Sequence, residues 1–224
     1  MSESEIVVKL RNVHFSYGPD RPVLRGCDFA LRAGQRVALR GANGSGKTTL
    51  LHLIVGLVRP VSGTLEVFGR PRREETDFHE VRRRVGLLFQ DADDQLFCPT
   101  VGEDVAFGPL NLGVPRDAVR RRVDETLDML GLSGYAPRVT YRLSGGEKRL
   151  AALAAVLAMR PEVLLLDEPA AGLDEVSTER LIAVLRGLPQ TMLIVSHDRE
   201  FLRRVASRWV GLRDGFVVDE SPPE

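Results

Sequence analysis

Gly41-Ala42-Asn43-Gly44-Ser45-Gly46-Lys47-Thr48 is the stretch on which the reading of this chain turns. It is a complete G-x-x-x-x-G-K-[ST], preceded by the β-patterned run Arg36–Leu39 and followed by the helical pattern Thr48–Val58. Glycines in such a loop let backbone N–H groups converge on phosphate oxygens with no Cβ in the way, and the helix start adds the positive end of its dipole. At ordinary residue frequencies, chance yields on the order of 0.01 such matches in a chain of this length, so a glycine turn without a ligand is a poor account of it. Lys47 is then expected to bridge the β- and γ-phosphates of a nucleotide, and the Thr48 hydroxyl to ligate Mg²⁺.

Outward from the loop, short apolar runs alternate with helical spacing. Ile6–Val13, Thr64–Phe68 and Val85–Phe89 read as strands, and Val163–Leu166 and Met192–Val195 are unbroken apolar runs of the kind buried on both faces of a parallel sheet. From Asp91 to Met159 the β signal fades, while Arg116–Leu130 and Glu147–Met159 carry helical spacing. The expectation is one α/β domain over residues 1–224, its core formed by 1–90 and 161–224 and interrupted by a helical insertion over 91–160. Composition agrees with a globular chain: 224 residues, 43% hydrophobic and 28% charged, with 31 basic and 31 acidic side chains that cancel. A zero balance argues against a dedicated nucleic-acid binder. Cys27 and Cys98 are too few for a disulfide framework, and no CxxC pair or His cluster accompanies them. The acidic opening MSESEIVVKL does not look like a secretory signal, and the apolar runs Leu50–Val58 and Ala151–Met159 fall short of the roughly 18 residues of a membrane span.

A second signal is Val163-Leu164-Leu165-Leu166-Asp167-Glu168-Pro169, an apolar strand ending in two carboxylates at the edge where open α/β sheets bind ligands. Asp167 is assigned to the metal, through water, and Glu168 to general-base work on an attacking water. Alone, a strand-terminal Asp-Glu pair more often caps a helix; its weight comes from the phosphate loop. The third signal is Leu143-Ser144-Gly145-Gly146-Glu147, a second anion-binding nest at a helix start. A Ser N-cap after a glycine turn explains that segment equally well in isolation. Two nests in one chain are reconciled if two copies pair head to tail, the Ser-Gly-Gly nest of one closing over the γ-phosphate held by the other.

These segments together resemble the nucleotide-binding subunit of ABC transporters over nearly the whole chain. The resemblance implies a P-loop NTPase fold with a mixed sheet and a helical insertion, ATP and Mg²⁺ as ligands, and ATP hydrolysis coupled to transport. It implies that residues 41–49, including Asn43, Ser45 and Thr49, hold the phosphates and that Tyr17 stacks on adenine. Gln90 would contact Mg²⁺ and water, and Glu147 would sit beside the nucleotide with Ser144, Gly145 and Gly146. Asp174, in Ala171-Gly172-Leu173-Asp174, would communicate across the pair, and His197 would contact the γ-phosphate. His14, His52 and His79 match no such position and read as surface or packing residues. Ala170 departs from the Thr or Ser that such proteins often carry after Asp-Glu-Pro, which removes a hydroxyl but no ligand named here.

The stretch after Gln90 is similar to the energy-coupling-factor importers: Asp93-Asp94-Gln95-Leu96-Phe97, Thr100-Val101, Asp104-Val105-Ala106-Phe107-Gly108-Pro109 and Asn111-Leu112-Gly113. That likeness implies a second ATPase subunit, identical or closely related, a transmembrane coupling subunit, a substrate-capturing membrane subunit, and a place on the cytoplasmic face of the membrane. Cobalt or nickel is the first expectation for cargo, with biotin close behind. Leu96, Phe97 and Phe107 could offer partner helices a groove or simply pack the lobe. Arg82-Arg83-Arg84 and Arg120-Arg121-Arg122 read as solvated helix faces balanced by Glu74, Glu75, Asp124 and Glu125, and Trp209 reads as core. The alternative class is a soluble ABC-type ATPase acting on DNA or ribosomes, but the gap from Gln90 to Leu143 lacks sustained heptads. A simple P-loop kinase would leave the Ser-Gly-Gly segment unexplained.

Overall fold

The structure is a computed structural model that describes residues 5–222; residues 1–4 and the last two lie outside it. Two sheets organise the chain. The larger, six-stranded sheet has the order β10(Phe216–Glu220), β9(Arg208–Arg213), β3(Arg36–Arg40), β8(Thr191–Val195), β7(Val163–Asp167), β6(Val85–Leu88). All neighbours in it are parallel except the edge pair β9 and β10. The smaller sheet is antiparallel, with order β2(Pro22–Arg32), β1(Ile6–Ser16), β4(Ser62–Val67), β5(Arg70–Pro71).

Period-2 geometry divides the core in two. On the central strands Val37, Leu39, Val163, Leu165, Leu193 and Val195 face one way and meet Leu10, Leu31 and Leu65 of the antiparallel sheet and Leu50, Leu53 and Ile54 of α1(Lys47–Val55). Their neighbours Ala38, Leu164, Leu166, Met192 and Ile194 face the other way, against the helices that lie beyond residue 100. Every residue of β7 and β8 is buried, which is why their sequences run apolar without alternation. Trp209, on β9, is buried as expected.

The helical insertion contains α3(Val101–Asn111), α4(Arg116–Met129) and α5(Gly145–Ala158). α4 buries Val119, Val123 and Leu127 along one stripe and leaves Arg120 and Arg121 exposed. α5 is the central prop of this region, with Leu150, Leu153, Val156 and Leu157 buried; each such leucine contributes about 2–5 kcal/mol against truncation to Ala. Chain outside the sequence patterns also folds: β2, α2(Glu75–Arg84), α6(Glu175–Gly187), α7(Arg199–Val205) and β10. The Thr48–Val58 pattern is shortened to α1 because Gly56 takes a left-handed φ of 72° and ends the helix.

Candidate functional site

The parallel strands β3, β6, β7 and β8 end on one edge of the sheet, and the residues expected to act together follow those ends. A cleft of about 600 Å³ is lined there by Tyr17, Asn43, Gly44, Gly46, Lys47, Thr48, Thr49, Gln90, Asp167, Glu168 and His197. Sequence reading foresaw all of these, and the fold brings them together across the whole chain. Gly41 and Ala42 line an adjoining hollow that also reaches His197.

The loop needs its glycines for a specific reason. Gly46 has φ 105°, and a Cβ there would lie 2.5 Å from Val23 Cγ1, so β2 presses directly on the loop. Lys47 folds back over the loop, its Nζ donating to the Gly41 carbonyl at 2.9 Å and the Ala42 carbonyl at 3.0 Å. Burial lowers the Lys47 pKa, and the charges of Asp167 and Glu168 oppose that shift. The Ser45 hydroxyl is buried without a partner, an orphaned polar group inside an anion cradle. Thr48 Oγ1 donates to Asp167 Oδ2 at 2.6 Å, so the hydroxyl and the carboxylate expected to serve one metal already touch. Asp167 is 2% exposed; burial pushes its pKa up, while the Thr48 hydrogen bond and Lys47 pull it down. Tyr17 is 59% exposed, meets the Phe15 ring edge-on at 4.8 Å, and its hydroxyl lies 3.1 Å from Thr49 Oγ1. Its open face leaves the ring available for stacking.

Glu168 follows the end of β7 with a φ of 51°, a strained position for a side-chain-bearing residue that costs about 1–2 kcal/mol. Its Oε2 accepts from Ser196 Oγ at 3.2 Å and from the His197 N–H at 3.4 Å. Its Oε1 is buried without a hydrogen bond and lies 3.7 Å from His197 Nε2. Strain and an idle carboxylate oxygen at the rim of a cleft are what a proton acceptor held ready for a ligand would show.

The Ser-Gly-Gly segment is elsewhere. Ser144 caps α5: its hydroxyl accepts from the Glu147 N–H at 3.3 Å, and Glu147 returns a carboxylate oxygen to the Ser144 N–H at 2.7 Å. Tyr135 donates to the other Glu147 oxygen at 2.6 Å, and that bond, with the Ser144 N–H, holds the Glu147 pKa down. Ser144, Gly145, Gly146, Glu147 and Asp174 line a separate cleft of about 710 Å³, which shares no residue with the phosphate-loop cleft. Asp174 caps α6 there through a 2.7 Å bond from the Ser177 N–H. The N-cap explanation of Ser144 and the nest explanation are therefore compatible: the hydroxyl caps its own helix, while a Cβ added at Gly145 would meet nothing within 4 Å.

Sequence reasoning did not single out Val23, whose side chain abuts Gly46, or Tyr135, which clamps Glu147. Neither sits in a motif. Among the described residues no cluster of three or more His, Cys, Asp or Glu side chains is arranged to hold a metal alone. The Thr48–Asp167 pair beside a phosphate cradle suits Mg²⁺, which takes few protein ligands and shares phosphate oxygens.

The family model described as ABC transporter matches residues 24–171. The energy-coupling factor transporter ATP-binding protein EcfA of Methanothermobacter thermautotrophicus is 42% identical over 221 residues, 97% of this chain and 71% of its own length. The nickel import ATP-binding protein NikO of Rhodobacter capsulatus is 44% identical over 96% of this chain and 88% of its own. Among solved structures, cbiO1 from Clostridium perfringens, part of the ABC transporter complex cbiONQ, superposes with a TM-score of 0.84 at 31% identity, over 97% of this chain and 89% of the other.

Proposed function

The chain belongs to the ABC transporter family of ATP-binding proteins, and from that membership we propose that it is the ATP-hydrolysing subunit of an energy-coupling-factor type importer for nickel or cobalt. Members of this family bind ATP and hydrolyse it to power transport. The observation that carries the reading is the division of the nucleotide machinery between two clefts that share no residue. One chain offers a phosphate loop without a covering nest and a nest without a phosphate loop, so two copies, or this chain and a close relative, would complete each other.

In such a pair Tyr17 stacks on the base, the loop from Gly41 to Thr49 wraps the phosphates, and Lys47 exchanges its two carbonyl partners for phosphate oxygens. Thr48 and Asp167, with Gln90 at the same cleft, would hold Mg²⁺, which supplies charge neutralisation on the phosphates. Glu168 Oε1 accepts the proton of the attacking water, and His197 bonds the γ-phosphate from the other side of Glu168. Ser144, Gly145 and Gly146 of the second copy close over the γ-phosphate, and Asp174 lies beside them. ATP binds better to the closed pair than to separate copies, which is the differential affinity that drives closure.

Residues 91–160 form the lobe that would carry this motion to the membrane. An apolar groove beside the Gln90 loop is lined by Leu57, Phe89, Phe97, Phe107 and Met159. Phe97 and Phe107 pack edge to face at 4.8 Å yet are 65% and 46% exposed. The buried Asp104 anchors the backbone at Phe97, accepting from the Phe97 and Cys98 N–H groups at 3.1 and 3.0 Å. This groove suits helices of a transmembrane coupling subunit, which would hold the chain at the cytoplasmic face; among the described residues no helix is long and apolar enough to cross a membrane. The test is uptake of labelled nickel, cobalt and biotin by cells lacking the chain. Metal uptake should fall and return with the parent chain but not with Glu168→Gln. Loss of biotin uptake alone would move the cargo to a vitamin, and unchanged uptake of all three would reject the transport reading.

A further inference from the structure

Of the three successive charged residues that open α5, Glu147, Lys148 and Arg149, only Arg149 is buried. Its guanidinium spans two successive backbone carbonyls: Nη1 donates to Phe89 O at 2.7 Å and Nη2 to Gln90 O. A planar fork does this with two donors held at a fixed spacing, whereas an ammonium is a single point on a flexible stem and fixes the two carbonyls less tightly. The same loop is held from its other side by Gln95, whose Oε1 accepts from the Phe89 N–H at 3.2 Å and whose Nε2 donates to Leu87 O at 3.3 Å. Lys148 adds a 2.5 Å contact to Asp93.

Burying this cation is expensive. Arg149 Nε has no hydrogen-bond partner, and burial lowers the guanidinium's pKa against the opposing charges of Asp91, Asp167 and Glu168. An apolar side chain of similar volume would often serve stability as well or better. What it could not do is fix the path of the Gln90 loop relative to α5. Gln90 lines the phosphate-loop cleft of its own chain, whereas Ser144, five residues before Arg149 at the cap of the same helix, lines the other cleft.

We propose that Arg149 is a positioning residue that ties Gln90 in one nucleotide cleft to the Ser144-Gly145-Gly146 nest that the same chain presents to the second copy. Displacement of the Gln90 loop when a nucleotide settles in one cleft is thereby passed, through one guanidinium and the rigid start of α5, to the lid of the other. This rests on the paired-copy reading above. The link runs through backbone carbonyls, so it depends on the fork of Arg149 and not on the identity of the Gln90 side chain.

The test compares full-length parent, Arg149→Met, Arg149→Lys and the packing control Leu153→Ala, with ATP as the probe. ATP affinity, kcat, the Hill coefficient for hydrolysis and thermal midpoint are measured for each. Arg149→Met should leave ATP affinity unchanged, lower kcat about 10- to 100-fold and reduce the Hill coefficient to that of independent sites, because small misplacements of catalytic groups have effects of that size. Arg149→Lys, which keeps the charge and N–H donors but loses the rigid fork, should recover part of both. Parental kcat and Hill coefficient in Arg149→Met, or a kcat that falls only in step with thermal stability as in Leu153→Ala, would overturn the proposal. Should Arg149→Met fail to fold, Arg149→Lys decides: reduced kcat at unchanged affinity supports the tie, and parental behaviour overturns it. A parent that turns over at its full rate while strictly monomeric by light scattering would reject the paired-copy reading, and the tie with it; a parent that pairs alongside an unaffected variant would reject the tie alone.

Discussion

Glu168→Gln separates the chemistry from everything that precedes it. The substitution changes one oxygen to an NH₂ group and leaves the shape alone. The amide oxygen can still accept from Ser196 Oγ and the His197 N–H, the bonds now made by Oε2 at 3.2 and 3.4 Å. The NH₂ group would take the place of Oε1, the atom that has no hydrogen bond and faces His197 Nε2 at 3.7 Å. The left-handed backbone at φ 51° is equally strained with either side chain, so thermal stability should hold or rise slightly as a buried charge is removed. Proton acceptance is lost outright. A general base contributes about 10²–10⁴-fold, and the variant's turnover should fall by that factor, or about 3–5 kcal/mol in barrier height. Phosphate release under saturating ATP and Mg²⁺ measures the loss, while nucleotide affinity and ATP-dependent pairing by light scattering should match or exceed the parent. Turnover close to the parental rate would remove Glu168 from the role of base; lost affinity would mean that it binds nucleotide instead.

Other substitutions probe single links. Asp167 has a raised folded-state pKa from burial, so its charged form opposes folding: its contribution favours the native state at low pH and is lost as pH rises through the raised value. Asp167→Asn should therefore raise the ligand-free thermal midpoint at neutral pH while abolishing the extra stabilisation that Mg²⁺ adds to ATP, both read by thermal shift. Gly46→Ala places a Cβ 2.5 Å from Val23 Cγ1 at φ 105°, and should cost at least about 1–2 kcal/mol in urea unfolding together with ATP binding. Phe107→Glu puts a charge into the apolar groove at a half-exposed position, so the fold should tolerate it by circular dichroism while recovery of the chain with its membrane subunits in detergent is lost.

Legibility followed physical cause. β7 and β8 were readable because a strand covered on both faces must be apolar at every position. β2 and β10 were not, since β2 is interrupted by Gly26 and Asp28 and β10 lies at the sheet edge with Phe216 and Val218 exposed. Of α2 only the basic end, Arg82–Arg84, was read as a helix face: Phe78 and Val81 are its buried residues, too few to show a period, and its arginines make ion pairs such as Arg82 with Glu75 and Arg84 with Glu162. The motif residues that line the two clefts could be named in advance because phosphate loops and strand-terminal carboxylates impose local residue types. Arg149 shows the limit. Nothing in the sequence marks which charged residue near the start of α5 turns inward, and only the packing of α5 against the Gln90 loop decides it.

The central claim is that one copy holds half of each catalytic site, and mixing two disabled copies tests it most directly. Lys47→Ala removes the cation that the phosphate loop itself holds, and Ser144→Arg blocks the nest in the other cleft, where the chain has open space beside Gly145. Each variant alone should be inactive in phosphate release. Their mixture should recover a fraction of parental turnover, from pairs that contain one intact composite site. An inactive mixture in which the two variants demonstrably pair, or parental turnover by a strictly monomeric chain, would contradict the account.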